Sequence, residues 1–257
     1  MARVKNTNTP GKSLVKWDEE LANLAKDSTK GMDLPSAKFI SLKSGKLSFG
    51  GAAVPDNELR AVILGWIHEN QYYDEPYDAD VPQTPGCYAF GVEADEMAPH
   101  EKALRPQNDS CASCPLNEWG SAERGDGKAC KNVLRLALIA ESDLEDLSTA
   151  EIVYMKVPVM SVKNFLMYAK KKVADTIKRP YWAVVTSISV EPDNKSQFRV
   201  NFEVAELIED SELFSPLKDL WTKTMEGIDF PYVASERKEK PAKKAKVADK
   251  KTKFARR

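Results

Sequence analysis

The sequence predicts an α+β, mainly β protein: an OB-like Greek-key barrel carrying an inserted, irregular loop region. Three observations lead there. Apolar residues recur in short runs of strand length separated by turn residues. Only one long amphipathic helix interrupts them, and it falls before the last two strands, as in a five-stranded Greek-key barrel. Strands and helices do not alternate, which argues against a doubly wound α/β sheet.

Three parts follow in order: a flexible lead with a short helix over 1–35, the barrel core over 36–229, and a basic tail over 230–257. Within the first, Leu14, Trp17, Leu21 and Leu24 fall at helical spacing over 14–28. Residues 39–49 form a hairpin, Phe39, Ser41 and Lys43 alternating with Ile40 and Leu42 before a Ser44-Gly45 turn. The run LRAVILGWI at 59–67 is continuously apolar and reads as a buried strand. Regular patterns stop at 72–132, which is rich in Pro, Gly, Asp and Asn. So long a structureless stretch inside a compact domain calls for some other organiser. Strands resume at 134–140 and 151–157. A helix then begins with Ser161 as N-cap and turns Val162, Phe165, Leu166, Ala169 and Val173 to the core, with its lysines on the solvated side. Arg179-Pro180 ends it. Residues 182–190 and 197–204 form a final hairpin whose second strand points Phe198, Val200, Phe202 and Val204 inward. A closing helix over 210–226 packs through Leu213, Leu217, Leu220 and Trp221.

All four cysteines, Cys87, Cys111, Cys114 and Cys130, lie in the irregular stretch. Cysteines confined to one polar, Gly-rich segment describe a metal site better than a core. A C-x2-C pair aims two sulfurs at one point, and Cys130 and Cys87 complete the four thiolates that Zn²⁺ prefers. Four thiolates close the coordination sphere, so the expected zinc is structural. His100, or less readily His68, could replace Cys87; an iron–sulfur cluster uses the same ligands; and four separate free thiols are the plain alternative.

Net charge divides unevenly. Residues 236–257 carry eleven Lys or Arg against three acids, a net +8 that leaves the first 235 residues at −9 within a chain total of −1. The tail has too little apolar surface to fold alone and attracts polyanions. No run approaches the ~18 apolar residues of a membrane span, and no export signal opens the chain, so a cytoplasmic protein without a membrane partner is expected. H-E-x-x-H, P-loop and G-x-S-x-G patterns are absent, and two histidines offer little general-base capacity, so an enzyme is not the first expectation.

The segments PGCYAFG, SCASCPLNEWGSA and GKACKNVLRLAL resemble a pattern found in tailed-phage proteins, among them single-stranded DNA-binding-like proteins with a four-cysteine zinc element in an OB-like fold. The resemblance spans roughly 39–205. The chain departs from it at Ala89 and Phe90, where a small polar residue is usual, and in its basic rather than acidic tail. It implies non-sequence-specific binding of single-stranded DNA in phage replication or recombination, within the bacterial host cytoplasm, with replication or recombination proteins as further partners. Single-strand binders combine cations with aromatic faces. Candidates are Trp119, Lys131 and Arg135 around the cysteines, Arg179, Tyr181 and Trp182 where the later strand begins, and Arg199 on the last one. Trp17, Trp66 and Trp221 are assigned to packing, and Tyr72, Tyr73 and Tyr77, set among acids, to loop anchoring. The alternatives are a zinc-stabilised scaffold or regulatory protein that docks a partner, and a metal-dependent nuclease.

Overall fold

A computed structural model describes residues 38–75, 83–194 and 196–232. The helix expected at 14–28, Trp17, Tyr77 and the basic segment 236–257 lie outside the described residues. Among the described residues, nine strands form one sheet: β1 (Phe39–Lys43), β2 (Lys46–Phe49), β3 (Ala52–Ala53), β4 (Glu58–Tyr72), β5 (Cys87–Gly91), β6 (Lys131–Ala140), β7 (Val153–Val157), β8 (Val184–Asp193) and β9 (Gln197–Leu207). Their order is β3-β2-β1-β7-β6-β4-β8-β9, with β5 beside β4. Two helices pack on this sheet. The first, α1 (Val159–Leu166), runs on as a π-helical segment through Met167–Ile177. The second is α2 (Phe214–Gly227).

The architecture is mixed α+β, mostly strand, and the sheet curls into a half-barrel. Its centre is β4, paired antiparallel with β6 over most of its length, with β8 at its N-terminal end and with β5 at its C-terminal end. The apolar run at 59–67 has a simple origin: β4 is covered on both faces. Ile63 joins Leu134, Leu136, Met155, Phe165 and Val200 inside the curl. Val62 and Leu64 point outward, under Leu217 of α2. A bulge between Ile63 and Gly65 bends the strand there. Gly65 lets α2 sit close, since a Cβ at that position would meet Met225 Sδ at 2.8 Å.

Among the described residues, the half-barrel does not close by strand pairing. The free edge of β7 is taken by β1, in parallel, and the β1–β2 hairpin fills the gap toward β9, its Gly45 turn lying against Phe198. Asn57, at φ 56, fastens this hairpin. Its Oδ1 accepts from Leu47 N at 2.6 Å, and its Nδ2 donates to Gly45 O and Val190 O at 2.8 and 3.0 Å. The outer edge of β9 is covered by α1. Val200 N donates to Ser161 Oγ at 2.9 Å and Val200 O accepts from Asn164 Nδ2 at 3.0 Å.

Ser161 therefore has a different role from the one expected. Pro158 stands at the N-cap, and Ser161 is fully buried within the first turn. Four residues of the expected apolar face pack on the core, Phe165 and Val173 buried and Val162 and Ala169 beside them, with Tyr168 buried as well; Leu166 is instead exposed together with Val159, Met160 and Met167. Lys178 in the left-handed conformation ends the π segment, one residue before Arg179. The last hairpin forms as expected, with Val200 and Phe202 buried and Phe198 and Val204 packed beside them.

Candidate metal centre and nucleic-acid surface

The irregular stretch folds around its cysteines. Cys87 opens β5 opposite Tyr72, and Lys131 opens β6 opposite Gln71, so Cys87 and Cys130 flank the end of β4 from its two sides. Cys111 and Cys114 come from the intervening loop. Cys114 N points to Cys111 O at 3.5 Å, Asn117 N donates to Cys114 O at 2.9 Å, and Asn117 Nδ2 donates to Cys111 O at 2.8 Å. Cys130 N donates to Leu116 O at 2.8 Å, which ties the last cysteine to this knuckle. All four line one cavity, and neither histidine does. His100 stacks on Tyr88 and accepts from Lys102 N, while His68 packs edge-on to Trp66.

Cys111, Cys114 and Cys130 are buried, Cys87 partly so, and all four are free thiols. Burial, reinforced by the neighbouring thiols, raises the Cys130 thiol to about 12, and burial raises Cys87 and Cys111 as well. Among the described residues, no three His, Cys, Asp or Glu side chains are grouped so as to hold a metal ion as they stand. The donor set is nevertheless the one a thiophilic ion takes: four cysteines lining one partly open cavity, with no carboxylate or imidazole among the lining residues.

The seven residues expected to touch nucleic acid divide sharply. Trp119 is 76% exposed, and Lys128 Nζ stands 5.8 Å from its ring centroid. Lys131 is exposed next to them, its Nζ donating to Lys128 O at 2.8 Å. These two share one surface beside the cysteine cavity. Three others belong to the docking site of α2. Trp182 stacks on Trp221 at 6.3 Å, Tyr181 Oη accepts from Trp221 Nε1 at 2.9 Å, and the Arg179 guanidinium lies over Phe214 and donates to Ile208 O. Arg199 pairs with Asp193 at 2.9 Å on the far hairpin.

Arg135, expected with Lys131 as a nucleic-acid contact on the strand leaving the cysteines, is enclosed in the described structure: it is only 1% exposed and pairs with the fully buried Glu69 at 2.8 Å. Leu134 and Leu136 face the core, so Arg135 points to the other side of the sheet, where chain from beyond α2 covers it. Glu69 also takes Lys156 at 3.2 Å and the Tyr232 hydroxyl. Burial alone would raise the Glu69 carboxyl, but Lys156 and Arg135 together carry it below the usual carboxylate range. Lys156 is itself lowered, chiefly by burial. This cluster went unread in the sequence, although one signal was present: a lone arginine in the otherwise apolar strand LRLAL. No family model, curated protein or solved structure matches the chain.

Proposed function

We propose that the protein binds single-stranded DNA without sequence specificity, on a curled sheet whose irregular insertion is stiffened by a structural zinc. The strand order β7-β6-β4-β8-β9, with α1 joining β7 to β8, supports an OB-like reading in which the barrel is open between its third and fifth strands. Cys87, Cys111, Cys114 and Cys130 would hold the ion. It supplies cross-linking of the insertion, worth on the order of 10 kcal/mol, and no reactive position. The observation that carries the reading is the exposed Trp119 beside Lys128 and Lys131 at the rim of the cysteine cavity, a base-stacking face with cations next to it. The resemblance of the cysteine spacing to tailed-phage single-strand binders supports the same function, in replication or recombination.

Fluorescence anisotropy with labelled oligo-dT and a salt titration tests this, alongside metal analysis of the purified protein. Micromolar or tighter binding that weakens steeply with salt, and one zinc per chain, are expected. The comparison includes protein lacking 236–257, because a basic segment alone attracts polyanions. Binding lost entirely with that segment, or absent at low salt, removes the proposal.

One observation favours a second reading, a scaffold that docks a partner protein. Val159, Met160, Leu166 and Met167 expose an apolar stripe along α1, and patches of this kind often mark protein contacts.

A further inference from the structure

The outward face of an antiparallel sheet is ordinarily polar where it meets water. Here five strands place rings and charges on it: Phe39 from β1, Tyr154 and Lys156 from β7, Arg135 from β6, Glu69 from β4, and Tyr88 and Phe90 from β5. Residues Ile228–Tyr232, leaving α2, cross this face as a strap that does not join the sheet.

The strap meets each of those groups. Arg135 donates to Ile228 O at 3.0 Å and Phe230 O at 2.9 Å. Its guanidinium lies between two rings, 4.2 Å from the Phe90 centroid and 4.2 Å from that of Phe230. Phe230 also packs edge-on to Tyr154 at 4.8 Å. Tyr232 sits 4.5 Å from Lys156 Nζ and 4.9 Å from the Tyr88 ring, and its hydroxyl bridges Lys156 and Glu69. Taken away, the strap would leave two cations sharing the single Glu69 carboxylate, several ring faces and an Arg135 amino group whose two acceptors had gone.

What the strap offers is a planar ring against a guanidinium and carbonyl oxygens for the same guanidinium. An unpaired nucleobase offers both in one group, a π-face for stacking and keto oxygens as acceptors. Phosphates would find Lys156 released from the Tyr232 hydroxyl. Asp229 is exposed and Phe230 and Tyr232 are only half-buried, so release from Asp229 onward leaves the buried Ile228 anchor in place.

We propose that this outward face of β1, β7, β6, β4 and β5 is a nucleobase-binding site, filled in the free protein by Phe230 and Tyr232 and opened when a single strand displaces the strap. The inference rests on the single-strand-binding function above and adds a second place for bases, apart from the Trp119 face, and what guards it. It also accounts for Arg135: a cation suited to nucleic acid is enclosed because its place is already taken.

Hydrogen exchange on the full-length protein, with and without oligo-dT, reads the strap directly. Amides at 229, 230 and 232 should exchange at least tenfold faster in the complex, and an oligo-rU arm shows whether the sugar matters; displacement by either strand supports the site. In parallel, Phe230→Ala with Tyr232→Ala should bind oligo-dT at least fivefold tighter than wild type, because the competitor is weakened. Tyr232→Phe, which keeps the ring and loses the bridging hydroxyl, should gain about twofold. If wild type binds oligo-dT while the strap stays protected and neither variant gains affinity, the inference falls and the function stands. If no variant and no strand binds, both fall. Should the double variant fail to fold, the exchange measurement on wild type still decides.

Discussion

Replacing Arg135 with Met tests the charge cluster beneath the strap. The substitution keeps an unbranched chain of similar length and removes the bond to Glu69 at 2.8 Å, those to Ile228 O and Phe230 O, and stacking between two rings. Losing one partner of a buried ion pair costs about 3–5 kcal/mol, because the other charge is left in a poor solvent. Lys156, 3.2 Å from Glu69, still compensates part of that charge and pulls the cost toward the lower end. The two orphaned carbonyls add about 1 kcal/mol each. A net loss of roughly 5 kcal/mol follows, which in a domain of this size lowers Tm by roughly 10–20 °C. Urea denaturation followed by tryptophan fluorescence measures it. Adding Glu69→Leu removes the stranded charge, so the double variant should recover about 2 kcal/mol relative to Arg135→Met alone. A single-variant cost below about 1 kcal/mol, with no recovery in the double variant, would falsify the claim that this pair is enclosed by the strap.

Three further outcomes are expected. Asn57→Ala removes three hydrogen bonds and puts alanine at φ 56, so it should cost roughly 3 kcal/mol in thermal melts; a loss under 1 kcal/mol means the β1–β2 hairpin is held by other contacts. The Glu69 carboxyl lies below its unfolded value of about 4.3, so its contribution is complete above that value and drains away as pH falls through the folded one. Melting curves between about pH 3 and 7 should therefore fall on the acid side, and less steeply in Glu69→Gln; equal slopes contradict the assignment. Trp119→Ala should leave Tm unchanged, since the ring is 76% exposed, while weakening oligo-dT binding by about 1–3 kcal/mol, roughly 5- to 150-fold. Unaltered affinity removes Trp119 from the binding surface.

Much of the secondary structure was legible because local pattern and burial agree. The alternation of 197–204 survives as β9, since one face meets the core and the other does not. The apolar run at 59–67 read as buried without showing how: strand pairing on both sides and α2 above are long-range facts. Ser161 misled for a related reason. A serine before an apolar helical run reads as an N-cap, but its hydroxyl serves Val200 N, a partner 39 residues away that no local rule could supply. β5 hid inside the loop-like stretch because CYAFG is too short to show a period.

Local pattern alone was enough for a β-rich chain with one helix before a terminal hairpin, and for the gathering of all four thiols in one irregular stretch, since strand alternation, helical spacing and cysteine placement are read over a few residues. Tertiary structure alone decided which candidates meet. It carried Cys87 and Cys130 to opposite sides of β4, left Trp119 and Lys131 in solvent, and turned Arg135 to the outward face beneath Phe230. The reason is physical. A strand's period fixes on which side of the sheet a side chain emerges, but what covers that side is set by chain arriving from some ninety residues away.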